Sequence, residues 1–163
     1  MRQQGVTLIQ LTGVLALLAI LTQLAVPAYS DWREATQHAV VARELAQTLR
    51  SARTRALLGS QRVIVEPLGN DWGRGWQTVV DADRQVLREH RLQRPLTITT
   101  NLTEVWFSPL GIPQRENGAF AGGTLQVCPT RSRNPPQRIV LAPSGRVSLR
   151  SGDALDAPGC APS

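Results

Sequence analysis

Six arginines crowd the stretch from Gly111 to Arg150: Arg115, Arg131, Arg133, Arg138, Arg146 and Arg150, against a single acid, Glu116. Guanidinium groups are planar, permanently charged and multi-donor, so they suit phosphate recognition. Arg131 and Arg133 fall in a proline-bounded loop, Thr130-Arg131-Ser132-Arg133-Asn134, where side chains can reach a ligand. Arg146, Ser148 and Arg150 alternate along a strand candidate and so share one face. Neighbouring positions on such a face stand about 7 Å apart, close to the spacing of phosphates along one DNA strand. That arrangement suits backbone contacts without base reading. The whole chain agrees in sign: its net charge is +6, and all 18 basic residues are arginine. Such a charge favours polyanions: nucleic acid, anionic lipid or acidic polysaccharide.

Other reactive residue types offer less. The two cysteines, Cys128 and Cys160, form no CxxC and have no histidine nearby in sequence, which is too few ligands for a metal site. In an exported domain a disulfide is the default. It would close a loop of about 32 residues, worth roughly 3.5–4 kcal/mol in the chain-entropy model, and tie the tail to the domain. His38 and His90 have no obvious carboxylate or cysteine partner. Asp81 and Asp83 lack the array that a calcium loop needs, and read as a surface turn. No nucleophile elbow, P-loop or metal box is present, so an enzyme is not expected, and no cofactor or metal either.

The elements that must carry the arginines begin with an apolar run. No charged residue lies between Arg2 and Asp31. Residues 6–28 would form a helix of about 35 Å, enough to cross a hydrocarbon core of about 30 Å. A cleaved secretory signal fits poorly, because Val26-Pro27-Ala28 is a weak cleavage site. A simple signal anchor is a second reading. Residues 31–58 contain no glycine or proline, and Val41, Leu45, Leu49, Ala52 and Ala56 form one apolar stripe. Gly59 is the expected stop. One helix over residues 6–58 would measure about 80 Å, apolar all round in its first half and on one side only in its second.

Beyond Gly59 the pattern changes to short β-type runs. Strands are expected over 62–66, 76–81, 85–90, 96–100, 104–107, 123–128, 138–141 and 146–150. Residues 70–75 read as a flexible loop, and 151–163 as irregular apart from the bridge.

Two sets of residues carry a resemblance. Gly5, then Val6-Thr7-Leu8-Ile9, a polar residue at 10 and Leu11, resembles the class III leader of type IV prepilins. Gly75-Trp76-Gln77-Thr78-Val79-Val80-Asp81-Ala82-Asp83, Phe107-Ser108-Pro109-Leu110-Gly111 and Gly145-Arg146-Val147 are similar to segments shared by the FimT/FimU minor pilins and the GspH pseudopilins. The resemblance implies an α+β, pilin-like fold: a long N-terminal helix, transmembrane in its first half, packed on two antiparallel β-sheets. It implies cleavage by prepilin peptidase between Gly5 and Val6, and methylation of Val6. It divides the chain into a leader (1–5), a helix (6–58) and a β-rich head (59–163). The chain would sit in the inner membrane, single-pass with its head in the periplasm, and then enter a pilus or pseudopilus beside other pilins.

One departure is Gln10, where the family has glutamate at the fifth mature position. Glutamine cannot neutralise a neighbour's terminal ammonium, which implies a minor, tip-located subunit rather than a shaft pilin. FimT-like proteins serve as DNA receptors in natural transformation, using a G-R-x-R motif. Here Gly145, Arg146 and Val147 match, Ser148 stands in the fourth place, and Arg150 is the substitute. The resemblance therefore implies DNA binding by Arg146 and Arg150, supported by Arg131, Arg133 and Arg138. The alternative is a FimU- or GspH-like subunit that primes filament assembly and has no DNA role.

Overall fold

The computed structural model describes residues 8–129, 135–152 and 160, with backbone alone at 24–28, 30 and 31. A single helix, α1, runs Leu8–Gly59. Its end is set by local geometry: Ser60 takes φ 48°, and the Gln61 amide donates to the Ala56 carbonyl at 3.3 Å, closing off carbonyls that the helix leaves open. Among the described residues no helix is long and apolar enough to cross a membrane.

Among the described residues nine strands follow: β1 Val63–Leu68, β2 Asp71–Val80, β3 Val86–Arg91, β4 Ile98–Thr100, β5 Val105–Phe107, β6 Pro113–Gln114, β7 Gly123–Val127, β8 Gln137–Leu141 and β9 Val147–Ser151. They form two antiparallel sheets, ordered β3-β2-β1-β5-β6 and β4-β7-β8-β9. The chain leaves the first sheet after β3, places β4 in the second, returns for β5 and β6, and then completes the second. This is the α+β architecture expected, a long helix on two antiparallel sheets.

The helix meets both sheets through one stripe. Ala42, Leu45, Ala46, Leu49, Ala52 and Ala56 are fully buried; Val41, expected in the stripe, lies partly buried at its margin. The alanines let strands approach the helix axis, and each leucine contributes about 1.5–3 kcal/mol of burial. Val63, Val65, Trp76 and Phe107 face the stripe from the first sheet, and Leu125, Val127, Ile139 and Leu141 from the second. Further along the same helix the environment reverses. The large apolar residues from Leu8 to Leu21 are 51–80 % exposed, and no part of the head covers them.

The segment read as a loop, 70–75, is instead the start of β2. Its ladder to β1 shifts register between Pro67 and Leu68, and such a bulge accommodates the turn residues. The two glycines there are required by close backbone approach. A Cβ on Gly73 would come within 1.9 Å of the Leu96 carbonyl oxygen, and one on Gly75, at φ +131°, within 2.2 Å of that of His90. The adjacent Trp76 is almost completely buried. It stacks on His90 at 4.6 Å and donates its indole N–H to Thr48 Oγ1 on the helix at 3.0 Å.

Candidate nucleic-acid interface

The arginines are positioned by the β8–β9 hairpin. In its register Arg138 lies directly opposite Arg150, while β7 places Gln126 on the other side of Arg138 and β4 places Thr99 beyond Gln126. A polar line thus crosses the second sheet on the face turned away from the helix. Amide bonds at the two ends of the hairpin, Ala142 to the Arg146 carbonyl and Gly152 to that of Pro136, both 2.9 Å, make Arg138–Arg150 a hydrogen-bonded pair. The Cα atoms of such a pair are about 5.5 Å apart. Like charges placed directly opposite destabilise a sheet, and neither guanidinium has a carboxylate partner among the described residues. Arg138 Nε is buried and makes no hydrogen bond there, while Arg150 is exposed.

Arg146 differs from expectation. It precedes β9 and sits, exposed, at the exit of the hairpin turn. Ladder parity still puts it on the face of Ser148 and Arg150, but four residues separate it from Arg150, about 13 Å at 3.3 Å per residue. The 7 Å spacing of adjacent same-face positions therefore does not describe this pair. The close pair is Arg138 with Arg150, across strands. The sequence places Arg138 at the start of an expected strand but not opposite Arg150, although the turn Pro143-Ser144-Gly145 is a usable signal: a hairpin centred there pairs 138 with 150. Arg131 and Arg133, like Gly5 and Val6, lie outside the described residues.

Beneath this face, glycines of two signature segments meet one helix arginine. Arg53 donates from Nε to the Gly111 carbonyl at 3.0 Å and from Nη2 to the Ser144 carbonyl at 3.3 Å. Gly145 has φ +79°, and a Cβ on it would come 2.5 Å from the Gly111 oxygen and 2.8 Å from Arg53 Nε. Gly111, at φ +69°, packs in the same way on Leu57. Arg50 adds a bond to the Val147 carbonyl at 3.1 Å. The glycine of Gly145-Arg146-Val147 is thus a packing requirement, whereas Arg146 itself is exposed. This clasp went unseen in the sequence because its three parts are separated by 33 to 91 positions.

The disulfide joins Cys128 to Cys160 and leaves no free cysteine. It holds Cys160 against the polar line, where Gln126 Nε2 donates to Cys160 Sγ at 2.9 Å. His90, which seemed partnerless, pairs through Nε2 with Glu44 at 3.1 Å, a contact between β3 and α1 that neither local sequence shows. His38 is buried on the helix, with Nδ1 lacking a hydrogen bond. Burial holds its pKa below the ordinary 6.5, against a smaller upward pull from Glu34. Asp81 pairs with Arg62 at 3.4 Å, and Asp83 accepts from the Gln85 amide at 3.1 Å. Both serve the turn. Among the described residues no cluster of histidine, cysteine and carboxylate could hold a metal ion.

A long helix carrying two antiparallel sheets, with a C-terminal bridge, defines the chain as pilin-like. Residues 41–145 match the family model of the type II transport protein GspH, and the chain belongs to that family, among the minor pilins and pseudopilins. Solved structures agree on the fold. The type IV minor pilin FimU of Pseudomonas aeruginosa PAO1 is 21 % identical with a TM-score of 0.60, over 80 % of this chain and 99 % of that one. The minor pseudopilin EpsH of the Vibrio cholerae type 2 secretion system is 16 % identical with a TM-score of 0.55, over 70 % and 96 %. No curated protein sequence matches the chain.

Proposed function

We propose that the protein is a minor filament subunit that is anchored, and later assembled, through the first half of α1. The observation that carries this reading is the run of large apolar side chains from Leu8 to Leu21, exposed on a helix that the head does not cover. Water does not tolerate such a surface; a bilayer, or the helices of neighbouring subunits, would cover it. Prepilin peptidase would cut after Gly5, and the new N-terminus at Val6 would be methylated. Gln10 favours a place at the tip over one in the shaft. Mass spectrometry of the mature protein tests this: a first residue at Val6 is expected. A product beginning beyond Ala28 would remove the anchor and with it the filament reading.

A second function is supported by the Arg138–Arg150 pair, which has no carboxylate partner among the described residues. Together with Arg146, Arg131 and Arg133, it would bind the DNA backbone without sequence preference, as in uptake of extracellular DNA during natural transformation. Retention of duplex DNA by residues 31–163 should fall steeply with salt, with a log–log slope of about −0.9 for each phosphate neutralised. Arg138→Gln with Arg150→Gln should reduce that slope by about two contacts. Unchanged retention would leave the structural, assembly-priming role alone.

A further inference from the structure

A second cationic site lies where the β3–β4 connection meets α1. The β3–β4 connection folds back against α1 and leaves a cleft of about 480 Å³, within the usual range for a small-ligand site. Arg33 lines it from the helix and Arg94 from the connection, and Val41 and Leu96 supply apolar wall. The His90–Glu44 pair also lines it. Arg91 is engaged by Glu89. Arg33 and Arg94 are exposed and have no carboxylate partner among the described residues. Two guanidinium-bearing residues lining one cleft beside an apolar wall offer charge-assisted donors to a phosphate group.

Depth selects the source of that phosphate. Arg33 follows Ala28 by five positions, about 7.5 Å along the helix. The polar headgroup layer adds roughly 5–7 Å to each side of the hydrocarbon core. Between the two lie Tyr29 and Trp32, which are 62 % and 65 % exposed and have ring centroids 6.0 Å apart. Exposed aromatics at this point match the interfacial belt of anchored helices. We infer that the Arg33–Arg94 cleft binds the phosphate of an anionic phospholipid headgroup, with Tyr29 and Trp32 setting the depth at which it docks. The inference rests on the anchor reading proposed above. Binding would seat the head against the bilayer before assembly, and lifting the subunit into a filament would break it.

The full chain reconstituted into lipid nanodiscs tests this. Discs of phosphatidylcholine mixed with phosphatidylglycerol are dissolved in mild detergent, and the lipid retained by the protein is counted by native mass spectrometry. Preferential retention of phosphatidylglycerol is expected. It should fall about fivefold for each arginine removed, in Arg33→Gln and Arg94→Gln, and be unaffected by Arg115→Gln. Arg33→Lys with Arg94→Lys should recover part of it, with tryptophan fluorescence confirming the fold of every variant. Equal retention of the two lipids would overturn the headgroup assignment while leaving the anchor intact. Failure to enter either kind of disc would overturn the anchor and the inference together. Binding of inorganic phosphate to the chain in pure phosphatidylcholine discs, lost in the double glutamine variant, would assign the cleft to a soluble anion and overturn the lipid reading.

Discussion

Arg53 and Gly145 show how the fold uses residues that resemble a binding motif. Gly145→Ala places a side chain at positive φ and against the Gly111 oxygen. It should cost about 1–3 kcal/mol of stability, read as a lowered denaturant midpoint, whereas Arg146→Gln, on an exposed side chain, should stay within about 0.5 kcal/mol. Equal effects from the two changes would contradict the division between packing glycine and exposed arginine. His38 supplies a pH test. Its folded pKa lies below 6.5 because burial disfavours the charged form, so the unfolded chain binds the extra proton first. Stability is therefore full above about pH 6.5 and is lost as pH falls through the folded value. Unfolding midpoints measured between pH 7.5 and 5 should drop for the parent chain and drop less for His38→Leu.

At the scale of elements, α1 is two helices in function. Its second half is held by a leucine–alanine stripe and by polar fastenings to both sheets, Thr48 to Trp76 and Arg53 to the turns of the head. Leu49→Ala should destabilise the head by about 2–5 kcal/mol, and Thr48→Val, which strands a buried indole N–H, by about 1–3 kcal/mol. Tryptophan fluorescence during unfolding would report both, because Trp76 lies at the junction. The bridge acts on another element. Reduction, or Cys160→Ser, should release position 160 from Cys128 and cost about 2–4 kcal/mol, seen as a lower thermal midpoint in reductant. No change on reduction would mean that the bridge contributes nothing to stability.

Over the whole molecule, exposed apolar and cationic surfaces occupy different places. An apolar rod occupies one end, the Arg33–Arg94 cleft the junction, and the Arg138–Arg150 face lies on the head's second sheet. Because Gln10 cannot supply the carboxylate typical of shaft subunits, overproduction of this chain without its partners should yield no long filaments by electron microscopy. Abundant filaments of this chain alone would refute its assignment as a minor subunit.

Much of this was legible in the residues. An uncharged run of helical length, an apolar stripe stepping by three and four, and short β-type runs after Gly59 are local patterns, governed by helix and strand periodicity, and they determined the helix and the β-rich head. The disulfide followed from having two cysteines in an exported chain. Sequence could not settle what depends on register and on contacts between distant segments. Residues 70–75 carry turn composition, yet a bulge and two close backbone approaches make them strand. Arg150 acquired its true neighbour, Arg138, only when the β8–β9 ladder was formed, and His90 found Glu44 only when the first sheet closed on the helix. Periodicity acts over one or two turns of chain, so the sequence alone determined the elements. Which side chains share a surface is decided by packing across dozens of residues, and that only the tertiary structure could decide.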